Sequence, residues 1–287
     1  MDFLQIVVSG ILLGGVYALF ATGLNLIFGV MKIINLGHGE LMMLGAYITF
    51  FLFTEAGVNP LLSIPLTAAV VGIFGFLLQF ALVERVVGQP IINSLLLTFG
   101  LSTLMMGVAL NLWTSNYRSV NYTALSGSWH LGEVAISKGR AVAFLISLLV
   151  TGGMWLFLNR STFGKAIRAT SEHPQVAQLC GIDIRKVRYV TFGLGSAMAA
   201  VAGALISIIF TISPEMGRMF IGKGFAIIVL GGLGSYVGAL LGAIVLGVGE
   251  TVTAYFTSTQ LSEGVAYLIL LLVLVVRPAG FFGKAED

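Results

Sequence analysis

Charge is the scarcest thing in this sequence: Asp, Glu, Lys and Arg make up 9% of its 287 residues, against roughly 25% in soluble domains. Hydrophobic residues make up 57%. No soluble core of this size hides so much apolar surface, so the composition points to an integral membrane protein. A single cysteine, Cys180, excludes an intrachain disulfide and a cysteine-based metal cluster. The net charge of +3 is small and its basic residues lie beside apolar runs. That pattern suits orientation in a bilayer and excludes a nucleic-acid footprint.

What is abundant is glycine, 37 residues, and long apolar stretches. A membrane span needs about 20 apolar residues at 1.5 Å rise each. Residues 3–30, 36–54, 60–83, 91–113, 141–158, 189–213, 223–248 and 256–276 meet this requirement. The expected fold is an all-α polytopic bundle of about eight or nine membrane segments, forming one transmembrane domain over 1–287. The first run lacks a basic leader and exceeds the roughly 7–15 apolar residues of a signal peptide, so it reads as a span.

Basic residues orient the bundle. The segment 159–188 holds Arg160, Lys165, Arg168, Arg185, Lys186 and Arg188 and, with Glu172 and Asp183, eight of the chain's 27 charged residues. It is expected in the cytoplasm. The segment 114–140 is then expected on the other side, as a small extracytoplasmic hairpin with exposed aromatics. Counting spans onward leaves the C-terminus outside, although Arg277 and Lys284 favour the inside. The run Gly222 to Glu250 resolves the conflict if it breaks. As one straight helix it would reach roughly 43 Å, and "GGLGS" in its middle invites a break into two short or re-entrant pieces. Gly231, Gly232 and Gly234 are therefore candidate gating residues.

Few residues suggest chemistry. "GRMFIGKG", Gly217 to Gly224, resembles a phosphate loop, but Gly224 stands where a Ser or Thr would hold magnesium. No catalytic residue is identified. One His and one Glu two apart in "INLGHGE" make a poor metal ligand set, so no metal site is expected. Glu40, Glu84 and Glu250 fall at or near span ends, which leaves no acid at a clear midplane and points to energy supplied from elsewhere.

Small residues recur every fourth position at Gly10, Gly14 and Ala18, at Gly195, Ala199 and Gly203, and at Gly234, Gly238 and Gly242, as close helix packing requires. Asn35, His38 and Glu40 admit two readings: a turn whose polar side chains cap the next helix, or residues near the cytoplasmic mouth of a path or against a partner. Asn25 and Asn111 are candidate polar contacts within spans.

Within the basic segment, "TSEHPQVAQLCG" carries helix signals. Thr170 or Ser171 is placed to cap, Glu172 and Pro174 suit a first turn, and Gly181 suits a left-handed C-terminal residue. Val176, Leu179 and Cys180 form a small apolar face. So short a helix needs packing against something, either its own membrane domain or a separate subunit.

Taken together, this basic segment, "NLGHGE", "GGLGSYVGALLGA" and "RPAGFFG" resemble the permeases of bacterial ABC importers, and among them the high-affinity branched-chain amino acid family. The likeness spans essentially the whole chain. Related urea and short-chain amide permeases share these motifs. The resemblance implies a bacterial inner-membrane permease that imports branched-chain amino acids and is not itself an enzyme. It also implies a coupling helix near 170–181 that docks on an ATPase, with Arg168, Ser171, Glu172, Pro174, Val176, Leu179, Gly181 and Arg185 as docking residues. The implied partners are a second homologous permease chain, two ABC ATPase subunits that carry ATP and magnesium, an extracytoplasmic binding protein and the lipid bilayer. The rival readings are a self-sufficient channel or ion-coupled carrier, and a scaffold that transports nothing.

Overall fold

The structure, a computed structural model, describes residues 3–131, 134–277 and 280–281. Among these residues, eleven α-helices and one β-hairpin run in the order α1 (Phe3–Met31), α2 (His38–Thr54), α3 (Pro60–Ala81), α4 (Ile91–Trp113), β1 (Ser128–Leu131), β2 (Val134–Ser137), α5 (Lys138–Arg160), α6 (Thr162–Glu172), α7 (Pro174–Leu179), α8 (Ile184–Ile209), α9 (Met216–Gly231), α10 (Tyr236–Phe256) and α11 (Thr259–Val276). Among the described residues, seven helices are long and apolar enough to cross a membrane: α1, α3, α4, α5, α8, α10 and α11. The two shorter membrane segments, α2 and α9, have 17 and 16 residues and reach about 25 Å each.

Glycine decides which helices lie in the middle. α8 is the most buried span and packs against α1, α2 and α3. A Cβ on Gly203 would strike the Met42 carbonyl, one on Gly45 the backbone of Ala200, and one on Gly195 the Gly23 carbonyl and Ile27. α1 meets α10 in the same way, with Gly10 and Gly14 against Val248, Ala243 and Ile244. Bare backbone at these points lets helices approach closely where the lipid supplies no hydrophobic drive. Outside this centre, α3, α4, α5 and α11 turn Leu66, Ile73, Phe99, Leu104, Leu149 and Leu272 outward, as a lipid-facing surface requires.

The expected break is present and takes the form of a tight turn. α9 ends at Gly231; Gly232 and Gly234 have φ of +93° and +84°, and α10 starts at Tyr236, capped by Ser235 Oγ accepting from Gly238 N–H. α10 returns antiparallel, with Gly238 against Gly231 and Gly242 against the Ile227 carbonyl. α9 and α10 are thus separate passes, which removes the conflict in the count. The backbone N–H of Phe281 donates to the Leu230 carbonyl at 2.9 Å, so the chain end returns to the end of the bundle that holds this turn. Pro278, Ala279, Phe282 and Gly283 of "RPAGFFG", and Lys284, lie outside the described residues. Gly234 sits in the turn with open space around it, so it does not belong to the packing ladder of Gly238 and Gly242.

At the opposite end, β1 and β2 pair antiparallel within 114–140. Gln5 clasps them: its Oε1 accepts from the Ala135 N–H at 2.7 Å and its Nε2 donates to the Ala135 carbonyl at 2.5 Å. Tyr117 and Trp129 are exposed. Lys138 and Arg140 already belong to α5.

Candidate functional site

The short helix of the basic segment starts later than its sequence signals suggest. α6 runs through Thr170 and Ser171 to Glu172, where the two hydroxyls donate back to the carbonyls of Ala166 and Arg168 at 2.8 Å. Neither residue caps α7. That helix opens at Pro174, with His173 at its N-cap and no side-chain bond. Pro174 forces the restart, because it cannot donate to a continuing helix. Gly181, at φ +83°, closes α7 as expected.

What α7 buries is Ala177; Val176 is 56% exposed and Leu179 88%. The apolar face therefore points away from the protein's own bundle. Glu172, Pro174, Cys180, Gly181 and Arg185 are exposed around it. Arg168 is exposed too, but its guanidinium donates to Asn159 Oδ1 at 2.7 Å. Ser171 is half-buried on the inner side. Arg185, Lys186 and Arg188 lie in the first turn of α8, not in a loop, because Asp183 accepts from the Lys186 N–H and caps the helix. That bond holds the exposed Asp183 carboxyl below its usual range. Arg188 turns inward, 2.9 Å from Glu84, and so offers no outward contact.

Behind α6 lies a cavity of about 200 Å³ lined by Asn25, Trp155, Ile167, Arg168, Ser171 and Tyr236, among others. It separates the basic segment from the α9–α10 turn. Asn25 grips that turn from α1: its Oδ1 accepts from Gly234 N–H at 2.8 Å and its Nδ2 donates to the Ser235 carbonyl at 2.9 Å. Tyr236 Oη donates across to the Thr151 carbonyl of α5. Asn25 and the three turn glycines are thus brought together. Asn111 is exposed on α4, remote from them.

The segment "INLGHGE" differs from both readings of the sequence. α1 ends at Met31, the chain leaves the helix through Lys32 at φ +54°, and α2 starts only at His38. Glu40, in its first turn, accepts from Ser102 Oγ at 3.1 Å, and Ser102 is the central residue of α4. The start of α2 is therefore level with the middle of a spanning helix, not at its mouth. No side chain caps α2; Asn35, His38 and Glu40 are all 2% exposed or less. The unwound backbone is satisfied by Thr98, which donates to the Ile34 carbonyl and accepts from the Leu36 N–H, as irregular chain at membrane depth requires.

A second buried acid, Glu250, lies toward the C-terminal end of α10, where Val248 and Thr251 pack against Gly10 of α1, near a span end as the sequence suggests. Its Oε2 accepts from the Tyr17 Oη of α1 at 2.8 Å. Lys223 Nζ lies 2.9 Å from Glu250 Oε1 and 3.1 Å from Tyr17 Oη. The "GRMFIGKG" lysine is thus committed to a buried ion pair within a helix, which leaves no phosphate loop. α10 runs to Phe256, beyond the expected end of the span.

A helical bundle with glycine-packed centre, broken segments and buried polar groups at mid-depth defines a multi-pass membrane permease. Residues 6–274 match the family described as branched-chain amino acid transport system / permease component, and the chain belongs to that family. It is 34% identical to the high-affinity branched-chain amino acid transport system permease protein LivH of Salmonella typhimurium, over 99% of this chain and 96% of that protein. It is 33% identical to the corresponding protein BraD of Pseudomonas aeruginosa, over 99% and 97%. A probable branched-chain amino acid transport permease, LivH of Methanocaldococcus jannaschii, is 26% identical over 97% and 92%.

Proposed function

We propose that the chain is one of two membrane chains of an ATP-driven ABC importer that carries branched-chain amino acids inward across the bacterial inner membrane. The cargo assignment rests on the relatives named above. The observation that carries the mechanism is the outward apolar face of α7, with Leu179 88% exposed at the basic end of the bundle. Such a face on a helix of six residues needs a partner to cover it, and a groove on an ATPase subunit fits its size and position. Arg168 and Arg185 flank it.

Nucleotide-driven closure of two ATPases moves α7, and α6 continues from it across a single residue, His173. α6 packs on α1, whose Asn25 holds the turn, so a shift of α6 reaches the α9–α10 turn through α1. Packed helices respond to such displacement by changing between discrete arrangements. The basic end is then cytoplasmic, and the β-hairpin end receives cargo from an extracytoplasmic binding protein. ATP and magnesium stay on the ATPases.

The test is uptake into proteoliposomes that hold the complete complex. Leucine, isoleucine and valine should enter only with internal ATP and the binding protein, and unlabelled urea or acetamide should not compete. Uptake by liposomes that hold this chain alone would contradict the importer and favour a channel or carrier.

A further inference from the structure

α2 and α9 begin at the same point. A Cβ on Gly39 would strike the Gly217 backbone, and one on Gly217 would meet both Glu40 carboxylate oxygens, so the two first turns touch through glycines. Neither N-terminus is capped by a side chain. Two helices of 16 and 17 residues thus bring the positive ends of their dipoles together at mid-depth. Beside them stands Arg218, exposed in the first turn of α9 and next in sequence to Gly217, which the Glu40 carboxylate faces. An exposed guanidinium at this depth does not face lipid; it needs water or a ligand. Glu40 itself is 1% exposed, and its Oε2, turned to Gly217, has no hydrogen-bond partner among the described residues.

We infer that this seam is the cargo's head-group site: Arg218 and the two helix N-termini take the α-carboxylate, and Glu40 Oε2 takes the α-ammonium of a zwitterionic amino acid. The inference rests on the amino-acid importer reading and deepens it. In this conformation the Gly39–Gly217 contact closes the carboxylate off; parting α2 from α9 at these glycines uncovers it. Opposite charges side by side at one level select a zwitterion over a free amine, a free acid or a neutral amide. The exposed acid Glu215 lies at the N-cap of α9, on the rim, and is not assigned to the ammonium.

Two measurements on the complete transporter test this. Glu40→Gln and Arg218→Gln should each lower leucine uptake roughly 10- to 100-fold, as loss of one charged hydrogen bond does, while binding-protein-stimulated ATP hydrolysis persists and Arg218→Lys recovers part of the uptake. Uptake within about twofold of wild type in either Gln variant, or loss in Glu215→Gln in place of Glu40→Gln, overturns the site. The second measurement does not depend on activity. Glu215→Cys, in a Cys180→Ala background, keeps both assigned charges and should react with a small hydrophilic thiol reagent, and leucine should slow the reaction. No reaction in any nucleotide state, or reaction that leucine does not slow, overturns the site. If the wild-type complex takes up no branched-chain amino acid, the cargo reading fails instead.

Discussion

Lys223 and Glu250 form an ion pair of 2.9 Å between α9 and α10, with both side chains almost fully buried. Removing one partner from such a pair leaves a bare charge in a low-dielectric interior and costs about 3–5 kcal/mol. Lys223→Met alone should therefore lower the thermal unfolding temperature of the detergent-purified chain sharply. Lys223→Met combined with Glu250→Gln should recover most of the loss, because Gln still accepts from Tyr17. Additive losses in the double variant would mean the two residues do not interact.

Asn25 ties α1 to the α9–α10 turn through both atoms of its amide. Asn25→Leu keeps the volume and orphans the Gly234 N–H and the Ser235 carbonyl, at about 1–3 kcal/mol each. Hydrogen exchange at Gly234 should speed up, and coupled uptake should fall while the complex still assembles. Unchanged exchange at Gly234 would show that the turn holds itself.

Glycines in the helix packing should divide into two kinds. A methyl group at Gly203 collides with the Met42 backbone, whereas Gly152 has nothing within 4 Å. Gly203→Ala should lose roughly 1–3 kcal/mol by overpacking, visible as reduced folded yield. Gly152→Ala should be neutral or gain up to about 1 kcal/mol of helix propensity. Equal yields would argue against the α2–α8 contact.

Gly181 has the left-handed conformation that ends α7. Gly181→Ala should cost about 1–2 kcal/mol and fray the helix, while Gly181→Asn should be tolerated better. Limited proteolysis between α7 and α8 reads this directly.

The sequence carries the spans and the α9–α10 break clearly, because hydrophobic length and a Gly-Gly-Leu-Gly-Ser interruption are local signals. It carries the depth of Glu40 poorly and the partner of Glu250 not at all. Glu250 lies in the last third of α10; the helix goes on through Thr251–Phe256, whose mixed polarity blurs the end of a span. Glu40 looks terminal because α1 and α2 are nearly contiguous, and only Thr98 of α4, far along the chain, shows that the link between them is drawn inward. The start of α7 is misplaced for a different reason: Thr170 and Ser171 are good caps, but a hydroxyl in a helix also bonds its own preceding turn. Pro174 was the stronger signal. Arg188 meets Glu84 only in the folded chain, so its inward turn has no local trace.

The most direct test of the coupling scheme is co-purification of the tagged chain from its native membranes in mild detergent, with and without Leu179→Asp. Wild type should bring down two ATPase subunits and a second permease chain, and Leu179→Asp should keep the second permease chain and lose the ATPases. Retention of the ATPases by the variant, or a wild-type chain that purifies alone, would contradict the docking role of α7.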